Sequence, residues 1–316
     1  MRALTAVSFL SFCAVVVAQP SKPIMRVQLP CESRYQALSP TGTQVAVHGK
    51  DHGVRLVDVP EGIQQRVFPA EQRANSFAYS PDGSWLAVGN DDGTVEVVPS
   101  KGTGPSKRWN ADTRRVDTVY FFPDAKAIVV GPVDHPAQVW EVTDTPTLRA
   151  TLPFDFGGLI ACAISPDGKL LVTAGDDTVI RWYDTATWRK MREYRGFLLE
   201  TFALAFSPDG KQVLAGGADA RITVLDSATA KEVRQLPQES GSYIVGIDVL
   251  GSTQRAATAY LDGAGVKPPH ELVWDLTTAT SLPVKADTPL TCGRVIGSRL
   301  WVCSADRTTL TMSPYE

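Results

Sequence analysis

Hydrophobic and polar positions alternate with a period of two over short stretches along most of the chain. Thr201-Phe202-Ala203-Leu204-Ala205-Phe206 is one such stretch, and Lys169-Leu170-Leu171-Val172-Thr173-Ala174 is a more continuously apolar one. Side chains on a strand point alternately to its two faces, so these stretches predict short strands, some half-buried and some buried on both faces. Each is bounded by a breaker. After Lys169–Ala174 comes Gly175-Asp176-Asp177, then an apolar run Val179-Ile180-Arg181-Trp182-Tyr183-Asp184, then a polar strand near Trp188–Glu193. Strand, Pro/Gly turn, strand, Asp/Gly turn, strand, strand is a four-stranded antiparallel meander.

The meander repeats. Ser-Pro-Asp-Gly stands at 80–83, 165–168 and 207–210, with variants Ser39-Pro40-Thr41-Gly42 and Phe122-Pro123-Asp124-Ala125. The prolines fall at 40, 81, 123, 166 and 208, giving intervals of 41, 42, 43 and 42. Leu250-Gly251-Ser252 and Ile296-Gly297-Ser298 continue the rhythm, for seven units in all. One meander cannot bury both its faces, whereas seven packed around an axis can. The expected fold is therefore all-β, a single seven-bladed β-propeller with four-stranded antiparallel blades. Unit seven supplies three strands, ending near Ser313. The alternating segment Ile24–Leu29 is expected to complete that last blade and remove the open sheet edge.

The dipeptide position of the third strand reads Trp140-Glu141 in unit three, Trp182-Tyr183-Asp184 in unit four and Trp274-Asp275 in unit six. With the repeat length, this resembles the WD-repeat family over nearly all of residues 19–316. The resemblance implies a rigid platform for protein partners. One departure is plain: no unit carries Gly-His before its first strand, so the family's Asp–His–Ser/Thr–Trp hydrogen-bond network cannot be complete in any blade. The chain therefore looks like a divergent member of the kind found among bacterial exported proteins.

Compartment follows from the first residues. Arg2 precedes the apolar run Leu4–Val17, and small residues end it before Gln19-Pro20. That is the pattern of a secretory signal peptide over residues 1–18, and the run is shorter than the roughly 20 residues a spanning helix needs. The expected location is periplasmic or secreted, with no membrane span after cleavage. Export favours disulfides. Of the cysteines beyond the leader, Cys31, Cys292 and Cys303 all map near the clasp of the ring, and one bridge among these three is expected. Cys162 alternates with Ile160 and Ile164 and reads as a core thiol. No C-x-x-C pair is present.

Charge and motifs exclude more than they assign. A net charge of −3 offers no basic excess to hold nucleic acid. His48, His52, His135 and His270 are spread around the ring, too far apart for common ligation of a metal. Asp91-Asp92, Asp176-Asp177, Asp219 and Asp306 lack the dense run of oxygen ligands calcium needs and read as hairpin residues. The Ser-Pro-Asp-Gly serines belong to turns. No cofactor is expected, and no catalytic residue is assigned.

The links between fourth and first strands share one face with the second-to-third-strand hairpins; this is the top face. Phe154, Phe156, Phe197 and Leu198 lie on adjoining links before units four and five, with Arg195 and Glu200 beside them. Arg114 and Arg115 lie on the link before unit three. These residues are the candidate binding surface for a protein partner of a monomeric, non-catalytic interaction scaffold. The hairpin Leu261–Pro269 is longer than its counterparts, another place for recognition. Competing readings are a propeller hydrolase or lactonase with an axial metal or carboxylate site, and a propeller binding carbohydrate or another small ligand.

Overall fold

The computed structural model describes residues 25–28, 35–48, 54–58, 64–68, 73–101, 104–237, 242–249, 255–262, 270–284, 290–296, 299–305 and 309–315. Among them, seven four-stranded antiparallel sheets follow one another along the chain. Their first strands are Tyr35–Leu38, Ala74–Tyr79, Val116–Phe121, Leu159–Ile164, Thr201–Phe206, Ser242–Val249 and Leu290–Ile296. Each first strand packs against the next, and the last returns to the first, which closes the ring. The sheets are numbered here as blades one to seven. The closing blade takes three strands from the C-terminal end, and Met25–Gln28 completes it by pairing with Thr309–Tyr315 in the register Met25↔Met312 to Gln28↔Thr309. The expected seven blades and the expected clasp are both present. The segment 1–18 and Cys31 lie outside the described residues.

Blade four shows how sequence becomes layer. Its second strand, Leu170–Gly175, is buried at five of six positions because it sits mid-sheet between two neighbouring blades. Its outer strand, Lys190–Tyr194, is polar and has no buried position. The Ser165–Gly168 turn is held by its own chemistry. Ser165 Oγ donates to Asp167 Oδ1 at 2.7 Å and accepts from the Leu170 N–H at 2.9 Å. Gly168 sits at φ +72°, where a side chain would be strained. The Ser80 and Ser207 turns repeat this pattern, and the serine hydroxyl holds Asp82, Asp167 and Asp209 below the usual carboxylate range.

Register narrows the dipeptide position of blade four, within Trp182-Tyr183-Asp184, to Tyr183-Asp184. Glu141 and Trp140 pair with Ala127 and Ile128; Asp275 and Trp274 pair with Arg255 and Ala256. In blade four the same rungs are Leu170↔Asp184 and Leu171↔Tyr183. Tyr183, not Trp182, stands where blades three and six carry tryptophan. Successive strand residues face opposite ways, so the two rings serve different interfaces. Tyr183 packs with Val139, Leu152 and Leu159 toward blade three, and fully buried Trp182 packs with Phe206, Val213 and Leu225 toward blade five. In blade six Trp274 Nε1 donates to Thr258 Oγ1 at 3.0 Å. Thr173 is the equivalent of Thr258, and with tyrosine opposite its neighbour its buried hydroxyl has no partner among the described residues. The tryptophan–threonine link present in blade six is thus absent from blade four, where tyrosine stands in the tryptophan's place.

Candidate functional site

Three top-face segments meet at blade four: the link 153–158, the hairpin 175–179 and the link 195–200. Gly175 lets the first two approach. A Cβ there would stand 2.5 Å from Phe154 Cδ1 and 2.6 Å from the Gly158 carbonyl.

Beneath the links runs a chain of alternating charges. Arg181 and Asp177 are almost completely buried and pair bidentately, Nη1–Oδ1 at 3.0 Å and Nη2–Oδ2 at 2.6 Å. Asp177 also accepts from the N–H groups of Asp155 and Val179 at 2.7 and 3.2 Å. Burial pushes the Asp177 carboxyl up, but the guanidinium and those N–H groups outweigh it and hold the group below its usual range. Arg181 Nη2 reaches on to Asp155 Oδ1 at 3.1 Å, and Asp155 Oδ2 receives Arg195 Nη2 at 3.0 Å. Arg195 Nε meets Glu193 Oε1 at 2.7 Å, and Lys190 Nζ meets Glu193 Oε2 at 2.7 Å. Arg195 and Lys190 together pull the Glu193 carboxyl down to about 2. The Arg195–Asp155 pair ties the link before blade four to the link before blade five.

Of the four apolar residues singled out by sequence, the structure exposes two. Phe156 is 64% exposed and Leu198 is 87% exposed, one on each tied link. Phe154 is half-buried, with the Arg181 guanidinium 5.5 Å from its ring centre. Phe197 is buried, packed edge-on to Tyr194 at 5.7 Å between blades four and five. These two are loop anchors, so the exposed patch is smaller than sequence suggested. Arg195 is exposed but engaged in the charge chain; Arg115 pairs with Asp117 at 2.9 Å, and Arg114 is exposed beside it. Arg114 and Arg115 belong to the neighbouring link before blade three.

Sequence reasoning missed three apolar members. Leu199, 46% exposed, extends the patch on its own link. Phe202 and Tyr243, on the first strands of blades five and six, form an edge-on pair at 6.4 Å, with Tyr243 41% exposed. The signal for Phe202 was its place one residue into an inner strand, where the register slips between Thr201 and Ala203. Such bulges gather near strand ends and sites. The long hairpin of blade six lies mostly outside the described residues, as do His52 and the side chains of His48 and His270. His135 Nδ1 sits 2.7 Å from Asp112 Oδ1 and ties the preceding link to blade three.

The opposite face carries an open cleft of about 280 Å³ lined by Pro81, Tyr120, Phe121, Pro123, Cys162, Ala163 and Ile164. Burial pushes the Cys162 thiol and the Tyr120 phenol well up, so both are neutral at ordinary pH. Cys162 is the buried core thiol expected. Its lining includes no carboxylate or imidazole to work as base.

Comparison with known proteins bears on these features. The WD domain, G-beta repeat model matches residues 62–97, 147–184 and 195–226, which include Asp155, Asp177, Arg181 and Arg195 of the charge chain but not the outer strand Lys190–Tyr194. Protein LST8 homolog of Drosophila melanogaster is 26% identical over 161 residues, 48% of this chain and 51% of that protein. An uncharacterized WD repeat-containing protein of Synechocystis is 29% identical over 140 residues, 43% of this chain and 39% of its own. THO complex subunit 3 of Arabidopsis thaliana is 24% identical over 178 residues, 56% of each chain. The matched stretch thus spans roughly half the length of these relatives or less. A chain in the crystal structure of a mitotic checkpoint complex superposes with a TM-score of 0.77 at 16% identity, covering 100% of this chain and 99% of that one. That likeness is one of fold.

Proposed function

We propose that this chain, which its repeats and relatives support as a WD-repeat protein, is a non-catalytic scaffold outside the cytoplasm that holds a protein partner on the top face at blades four and five. One observation carries the reading. Phe156, Leu198 and Leu199 are exposed on two links. The first is anchored through Asp155 to the buried Arg181–Asp177 pair, and the second is held by buried Phe197 and joined to the first by the exposed Arg195–Asp155 pair. Exposed apolar side chains on fixed links lose little freedom on binding, which is the economy of a preorganised platform. Arg195, Asp155 and the Arg114–Arg115 link supply a polar rim, the arrangement common to protein interfaces. Relatives include a protein named as a subunit of a complex, in keeping with a binding role. The proposed export rests on the apolar run Leu4–Val17 and the small residues that end it.

The test is crosslinking capture with the purified protein from its native extracytoplasmic fraction. A variant carrying Phe156→Ser, Leu198→Ser and Leu199→Ser, shown to keep the wild-type Tm, serves as control. A protein captured by wild type and lost in the variant is the expected result. Capture unchanged by the variant would remove this surface from the account. Recovery of the protein with its N-terminus still at Met1 in the cytoplasm would refute the export half of the reading.

A further inference from the structure

Among the described residues, blades two to seven share an irregularity at one place. The pairing of first and second strands slips by one residue between Ala74 and Ser76, Val116 and Thr118, Leu159 and Ala161, Thr201 and Ala203, Ile244 and Gly246, and Leu290 and Cys292. The rung just after the slip is then Ser76↔Gly89, Thr118↔Gly131, Ala161↔Ala174, Ala203↔Gly216, Gly246↔Ala259 and, in blade seven, Cys292↔Cys303.

This rung is crowded wherever it can be measured. A Cβ on Gly89 would lie 2.5 Å from its own rung partner, Ser76 Oγ, and 2.5 Å from Val116 of the next blade. One on Gly131 would collide with Thr118 Oγ1 and stand 3.0 Å from Leu159. One on Gly216 would come within 2.9 Å of Ile244. The rungs of blades two to six carry Gly or Ala on at least one side, whereas the corresponding rung of blade one pairs Tyr35 with His48. What marks blade seven is that both partners of this rung are cysteines, placed directly opposite each other. Two unlinked thiols must stay a van der Waals distance apart, whereas bonded sulfurs sit about 2.05 Å apart and take less room.

We propose that Cys292 and Cys303 form a cross-strand disulfide that staples the two inner strands of the closing blade. Directly opposed residues of an antiparallel pair have Cα atoms about 4.5 or 5.5 Å apart, and both separations fall inside the disulfide range. The bond forms by exchange with an external disulfide, either oxidised glutathione or a protein oxidoreductase. The thiolate of one cysteine, having lost its proton to solvent, attacks that disulfide, forms a mixed disulfide and releases one thiol. The thiolate of the other then attacks the mixed disulfide and releases the second thiol. Two protein thiols are oxidised and one external disulfide is reduced. The staple joins the two inner strands of the blade whose outer edge Met25–Gln28 completes. It does not depend on the docking surface proposed above.

The experiment uses the full chain equilibrated in oxidised glutathione, trapped with acid and alkylated, then digested with trypsin without reduction. Cleavage after Arg294, Arg299 and Arg307 puts Cys292 and Cys303 on separate peptides. The expected result is the 286–294 peptide joined to the 300–307 peptide, with Cys31 and Cys162 alkylated on unfolding. The link persists in Cys31→Ser, and reductant lowers the wild-type Tm by roughly 5 °C while leaving Cys292→Ala/Cys303→Ala unmoved. Free Cys292 and Cys303 in oxidised glutathione, or either one joined to Cys31, overturns the proposal without any variant having to fold.

Discussion

Replacing Arg181 by methionine tests whether the buried charge chain holds the top face. The arginine and Asp177 are paired at 3.0 and 2.6 Å with 2% and 1% of their side chains exposed. Removing one member leaves Asp177 as a buried carboxylate with only the N–H groups of Asp155 and Val179 as partners. Breaking such a pair costs about 3–5 kcal/mol, far above the roughly 0–1 kcal/mol for exposed pairs. Arg195 supplies the internal comparison, since its pair with Asp155 has both side chains 54% exposed. In urea melts at pH 7 the expected loss is about 3–5 kcal/mol for Arg181→Met and under about 1 kcal/mol for Arg195→Met. The pH dependence has a definite sign. The folded carboxyl of Asp177 is depressed, so its contribution is complete above the unfolded value and fades as pH falls through the folded one. The gap between wild type and Arg181→Met therefore narrows in acid, starting below about pH 5. Equal losses for the two variants, or a gap that widens in acid, would refute the claim that the buried pair fixes the links.

Other outcomes follow from the same geometry. Thr258→Val breaks the bond from Trp274 Nε1 and is expected to cost about 1–3 kcal/mol, while Thr173→Val, which removes a hydroxyl already lacking a partner, costs nothing or stabilises; paired thermal melts read both. Gly175→Ala drives a Cβ into Phe154 and the Gly158 carbonyl, so it should cost about 1–3 kcal/mol and weaken partner capture, while Gly168→Ala leaves capture unchanged. The Glu193 carboxyl should titrate near 2 by NMR and move up toward the ordinary glutamate value in Arg195→Met, because that guanidinium is its largest influence.

The ring was legible because its signal is repeated. Seven turns at regular spacing, each flanked by apolar strands, leave one packing solution, and Ile24–Leu29 had no other partner than the unfinished blade. What sequence missed lies at single-residue register. Trp182 and Tyr183 are adjacent aromatics, and only the rung Leu171↔Tyr183 tells which faces blade three. Phe197 looked like Leu198 as a loop apolar residue, yet one is buried and the other 87% exposed, because Tyr194 and the blade-five core receive only the first. The charge chain was hidden for another reason. Its members Asp155, Asp177, Arg181 and Arg195 come from two links, a hairpin and a strand, and only the blade's curl brings them together.

The central claim is that a partner docks on the top face at blades four and five. Hydrogen exchange on the captured complex measures this directly, since each link has its own backbone amides. The account predicts protection over 153–158 and 195–200, with the Ser-Pro-Asp-Gly turns and the outer strands unchanged. Protection confined to the turns at Pro81 and Pro123, around the cleft on the opposite face, would contradict it.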